Sequence, residues 1–111
     1  MVAAVPTARK DEYLHHSKTF TAILQELGAI GSADLWGDDV PEGKLPSFPL
    51  AVKAEPDETV CVGWIRWPDK ATRDRGMKAM MEDPRVQPDV LPMPFDGKRM
   101  IFGGFEPVCE S

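Results

Sequence analysis

Reactive side chains are scarce in this sequence, whose 111 residues include two cysteines, two histidines and one tyrosine. Cys61 and Cys109 are too few for the disulfide framework of a small secreted domain, so both read as reduced thiols. Cys61 lies in an apolar, strand-like run and reads as a small buried hydrophobe, since a reactive thiol needs a neighbouring cation or base. Apolar runs are only a few residues long, far short of the roughly 20 a membrane helix needs, and Met1-Val5 lacks the basic start of a signal peptide. No membrane partner and no export are expected, and the expected location is cytoplasmic. A basic stripe is missing too: thirteen Lys and Arg are scattered among eighteen Asp and Glu, for a net charge of −5, which argues against nucleic acid as a partner. No phosphate loop, haem or flavin motif or metal-ligand spacing stands out, so neither a cofactor nor a metal is expected.

The rest of the composition is that of a folding chain. A hydrophobic fraction of 42% and a charged fraction of 28% are ordinary for a globular protein. The length fits one domain over residues 1–111, able to bury about two thirds of its unfolded surface. Met1-Val5 reads as a short, truncated first strand ending at Pro6. Thr7 as N-cap, Asp11 and Glu12 in the first turn and Gly28 past the end bound a helix. Tyr13, Phe20, Leu24 and Leu27 give that helix one apolar face.

Residues 29–36 read as a second strand, and residues 37–47 as a loop excursion rich in turn formers. Residues 47–54 read as a strand forming a hairpin with residues 59–67, the strongest strand in the chain. Asp69 caps a second helix that Pro84 stops, with Gly76 weakening its interior. Residues 85–98 form a Pro-rich loop, and Asp96-Gly97 turns the chain into a last strand from Arg99 to about Glu106.

Alternation within the strands carries the strongest architectural argument. Val60, Val62 and Trp64 point to one face of residues 59–67, and Cys61, Gly63, Ile65 and Trp67 to the other. Neither face is polar, whereas an antiparallel sheet with one wet face alternates apolar and polar. The pattern predicts an α+β fold, β-α-β-β-α-β, whose two helices cover one face of the sheet. No further element is left for the second face, so a second copy of the chain is expected there, as a homodimer.

The run Met93-Pro94-Phe95-Asp96-Gly97-Lys98-Arg99-Met100-Ile101-Phe102-Gly103-Gly104-Phe105 resembles the closing signature of the YbaA-like small bacterial proteins, a family of unknown function. Gly37-Asp38-Asp39-Val40-Pro41-Glu42-Gly43-Lys44 followed by Phe48-Pro49 resembles the family's central loop, and Asp57-Glu58-Thr59-Val60 with Trp64-Ile65 its hairpin. The departure is at the front, where relatives begin several residues earlier. The resemblance implies a ferredoxin-like fold assembled as a dimeric α+β barrel. It also implies distant kinship with cofactor-independent monooxygenases, muconolactone-isomerase-like enzymes and haem proteins, among which a fold alone cannot choose.

Candidate site residues each carry a plainer reading. Trp36, Trp64 and Trp67 could line a pocket for a flat or apolar ligand, or simply pack; Trp64 and Trp67 lie on opposite faces. His15 and His16 are about 100° apart on a helix and cannot share a metal, and they read as rim histidines. Asp38, Asp39 and Glu42 gather negative charge on the excursion, which fits a solvated loop as well as a base. Lys98 and Arg99 could hold an anion, or pair with acidic neighbours. Two functions follow. The first is a small-molecule binder or cofactor-independent enzyme, with His16, Trp64, Arg66, Asp38 and Arg99 as candidate ligand-binding residues. The second is a noncatalytic dimer acting through residues 37–44 and 85–98, since loops on a rigid scaffold commonly carry binding.

Overall fold

A computed structural model of the chain describes residues 1–110. Strand β1 (Val2–Pro6) leads through a three-ten turn at Thr7–Arg9 into helix α1 (Lys10–Glu26). Thr7 is not the cap expected of it: its hydroxyl meets that of Thr59 at 2.7 Å and its N–H donates to the Asp57 carbonyl at 2.9 Å. The far end follows the sequence. Gly28, at φ 111°, donates to the Gln25 carbonyl at 3.2 Å, and Ala29 donates to that of Leu24 at 3.0 Å. This is the paired closure that a left-handed residue makes possible, and it satisfies carbonyls the helix leaves open.

Strand β2 (Gly31–Trp36) follows, and after the excursion come a short helix α2 (Phe48–Ala51), strand β3 (Glu58–Arg66) and helix α3 (Lys70–Glu82). Helix α3 starts at Asp69, whose carboxylate accepts the Thr72 N–H at 2.7 Å, and a three-ten turn at Pro84–Val86 follows it.

The sheet is antiparallel, in the order β1-β3-β2, with Ala3 opposite Cys61 and Trp36 opposite Cys61 on the other side. Two expected strands are corrected. Residues 47–54 are not a strand: Ser47 Oγ accepts the Leu50 N–H at 3.2 Å and opens α2, with Pro49 in its first turn. A proline has no N–H for a ladder but is well suited to the start of a helix, and here the local start pattern prevails over the alternation of Phe48, Leu50 and Val52. The hairpin partner of β3 is therefore β2. The last strand shrinks to one bridge, in which Val2 and Ile101 exchange backbone hydrogen bonds of 2.8 and 3.0 Å. Gly103, Gly104 and Pro107 fall just beyond it, residues that weaken or end a strand.

Both long helices lie on the Cys61 face. Val5, Tyr13 and Cys61 pack together with Trp36 and Phe95, while Ile23, Leu24 and Met80 close around Trp67. The expectation that nothing in the chain covers the opposite face needs correction. Val52 and Val40, brought over by the excursion, bury Ala4 and Val60 there. Their cover ends part-way along the strands, leaving Leu35 and Trp64 exposed.

Candidate functional site

Asp34 sits mid-strand in β2, opposite Gly63 of β3 and on the helix-covered face. Aspartate is depleted in strands, and this one keeps its side chain exposed to solvent on the edge strand. Gly63 gives it room: a methyl there would lie 2.9 Å from Asp34 Oδ1. Tyr13, placed by α1 over the sheet, donates its hydroxyl to that same oxygen at 3.2 Å. Burial and the nearby carboxylate push the Tyr13 hydroxyl well above its ordinary value, so it stays protonated and remains the donor. Asp34 forms no ion pair among the described residues.

Beside this pair α1 and β2 border a shallow, open depression of about 350 Å³. Leu14 and Ala22 supply apolar wall, Ser17 and Ser32 hydroxyls, and Lys18 and Asp34 the charges. The cleft offers a carboxylate acceptor at one point of a mostly aliphatic surface, an arrangement that orients a donor-bearing small molecule.

The five candidate residues named from the sequence do not converge. His16 is stacked on Phe20, with ring centroids 5.7 Å apart, and meets Phe95 edge-on; burial lowers its pKa, so it is neutral at pH 7. Trp64 and Arg66 project from the opposite face of β3, where Arg66 pairs with Glu110 at 2.8 Å. Asp38 borders a second depression of about 330 Å³, whose wall also holds Glu42, Glu55 and Glu58.

Arg99 is tied to both oxygens of Glu58 at 2.7 Å, to the Lys53 carbonyl at 2.8 Å and to Asp96 at 3.2 Å. Lys53 holds φ at 50°, so this knot clamps a left-handed turn at the end of the excursion. Cys61 is buried, and its thiol is pushed up to about 11, chiefly by burial. Among the described residues no three His, Cys, Asp or Glu side chains cluster closely enough to hold a metal ion, and no helix is long and apolar enough to cross a membrane.

Sequence reasoning missed Asp34 because the group that makes room for it, Gly63, lies far along the chain. The available clue was a charged residue in the middle of a short strand that also holds Leu35 and Trp36.

Comparison with known proteins places the chain among relatives. Residues 1–97 match the family described as "Protein of unknown function (DUF1428)". The "Uncharacterized protein YbaA" of Escherichia coli strain K12 is 44% identical over 110 residues, covering 99% of this chain and 94% of the relative. The protein of the same name from Shigella flexneri matches to the same extent. The resemblance read from the loop and hairpin strings is thus borne out along nearly the whole chain, which belongs to the YbaA-like family of unknown function, DUF1428.

Proposed function

We propose that this chain is a homodimeric small-molecule-binding protein of ferredoxin-like fold, with the cleft between α1 and β2 as its ligand site. The observation that carries this reading is Asp34, an exposed carboxylate held in place by the Tyr13 hydroxyl at 3.2 Å beside an open depression of about 350 Å³. The ligand class is a compact molecule with an apolar body and one ammonium, amide or hydroxyl donor, which the carboxylate accepts. Binding is favoured over covalent catalysis because the one nearby thiol, Cys61, is buried and protonated at neutral pH.

The fold part of the proposal rests on strand neighbours. Ile101 bridges to β1, and β1-β3-β2 follow in order, which is the arrangement a β-α-β-β-α-β chain of this class adopts once its last strand is complete. The homodimer, assembled as a dimeric α+β barrel, is supported by the part of the sheet face that the excursion leaves open. On this reading Trp64 and Arg66 belong to that face and His16 to the flank of the ligand site, while Arg99 supports the wall near Asp38.

The test is a fragment screen by ¹H–¹⁵N correlation spectra, using small aromatic amines as probes. Shifts grouped at Ser17, Lys18, Thr21, Ser32 and Asp34 are expected. Asp34→Asn should weaken the best amine by about tenfold or more, the scale of one hydrogen bond to a charged group. Shifts scattered elsewhere, or affinity unchanged in Asp34→Asn, would refute the assignment.

A further inference from the structure

Resting on the reading that the chain pairs with itself, we propose that residues 102–108 of each copy lie on the open sheet face of the other. The last anchor of the chain on its own sheet is the Val2–Ile101 bridge. Beyond it Phe102 is 80% exposed, Phe105 86% and Val108 90%, three large apolar side chains at steps of three that none of the described residues covers. Its contacts with its own chain are polar and few: Gly104 lies against the Arg73 guanidinium of α3, and Glu110 pairs with Arg66, both side chains more than half exposed, a kind of pair that contributes little.

The receiving surface is apolar and adjoins that anchor. Opposed residues of an antiparallel ladder share a face, so Ile101, Val2, Val62 and Leu35 form one row across the sheet, with Trp64 in the next row. Of these Ile101 is 45% exposed, Leu35 51% and Trp64 50%. Together with Phe102, Phe105 and Val108 they present roughly 700 Å² per copy, against about 800 Å² per partner in a standard stable interface.

A twofold axis solves both problems at once. Each copy supplies one uncovered apolar segment and one uncovered apolar face, so a single symmetric arrangement makes the contact twice. A lone copy, by contrast, leaves both the segment and the face open to water. The sequence at the junction suits exchange: Gly103 and Gly104 follow the bridge directly and let the chain leave its own sheet edge at little steric cost.

The experiment uses Cys109, the exposed thiol, since Cys61 is buried. Wild-type protein is labelled there with a benzophenone maleimide and irradiated, and the cross-linked peptides are mapped by mass spectrometry. In parallel, sedimentation equilibrium gives the Kd of unlabelled wild type and of Phe102→Ser/Phe105→Ser. Both side chains are solvent-exposed in the isolated chain, so the double variant should keep its circular dichroism and thermal transition when dilute. A wild-type dimer, cross-links joining Cys109 of one copy to β2 or β3 of the other, and a Kd raised by about a hundredfold or more in the variant are expected. A wild-type dimer with only intrachain cross-links and an unchanged variant Kd overturns the exchange and leaves the pairing standing. A wild type that stays monomeric at tens of micromolar overturns both.

Discussion

Replacing Gly76 by alanine tests the packing of α3 on the sheet, because local and tertiary effects predict opposite signs. In an exposed helix interior the change should stabilise by roughly 1 kcal/mol, since glycine loses more backbone freedom on folding. Here the added methyl would lie 2.5 and 2.6 Å from two carbons of the Trp67 ring, and 3.3 Å from the Leu27 carbonyl oxygen behind it. Neither obstacle yields easily: the ring is wedged among Ile23, Leu24 and Met80, and the carbonyl is the C-terminal backbone of α1. Overpacking of this kind costs about 1–3 kcal/mol, and two rigid neighbours put it toward the upper end. The net expectation is a destabilisation of about 1–2 kcal/mol, or a fall in Tm of roughly 4–8 °C per kcal/mol for a domain near this size.

Guanidinium denaturation at one fixed protein concentration measures the change whatever the subunit count. Trp67→Leu completes the cycle. In that background the methyl meets no ring and only the Leu27 carbonyl remains, so Gly76→Ala should lose most of its cost, and the coupling between the two sites should exceed about 1 kcal/mol. A Gly76→Ala protein as stable as wild type or more so would show that α3 does not seat on Trp67 as described.

Two further outcomes follow from charge and burial. The Glu58 carboxyl is held below its ordinary 4.5, first by its hydrogen bonds from Arg99, so that pairing is fully present above about pH 4.5 and lost as pH falls through the lowered value. Denaturation midpoints at pH 7 and pH 3.5 should therefore differ less in Glu58→Gln than in wild type, and an equal difference would contradict a stabilising role for the pair. Thiol titration should find one reactive group per folded chain at pH 8, Cys109, because burial pushes Cys61 up to about 11; two groups reacting at similar rates would mean that the β1-β3 core opens readily.

What could be read from the sequence were features fixed by near neighbours. Gly28 closes α1 and Asp69 opens α3 through backbone groups within a few residues, so the residue type announces the geometry. The alternation in β3 likewise identified both faces before the pairing was known. Errors arose where two local codes conflict or where distant residues decide. Phe48, Leu50 and Val52 alternate like a strand, yet Ser47 and Pro49 are a helix start, and only the second agrees with the backbone donors available. Gly76 looked like a flaw in a helix until Trp67 was seen above it. Arg99 looked like an anion-binding group, but Glu58 and the Lys53 carbonyl, which occupy it, come from the far side of the excursion.

Strand parity in β2 also separates the two proposed activities. Asp34 and Leu35 are successive residues, so one faces the cleft under α1 and the other the open sheet face. A ligand on Asp34 and a second copy on Leu35 would then occupy opposite sides of one strand without competing for surface. Neither would they be independent. Among the described residues strand β2 is paired only with β3, so a shift that seats Asp34 more tightly against a ligand also moves Leu35, with no second strand there to resist it. Coupling between sites requires a shared element on which both ligands act differently in its two positions, and an edge strand held on one side is the element of this fold that best meets that condition.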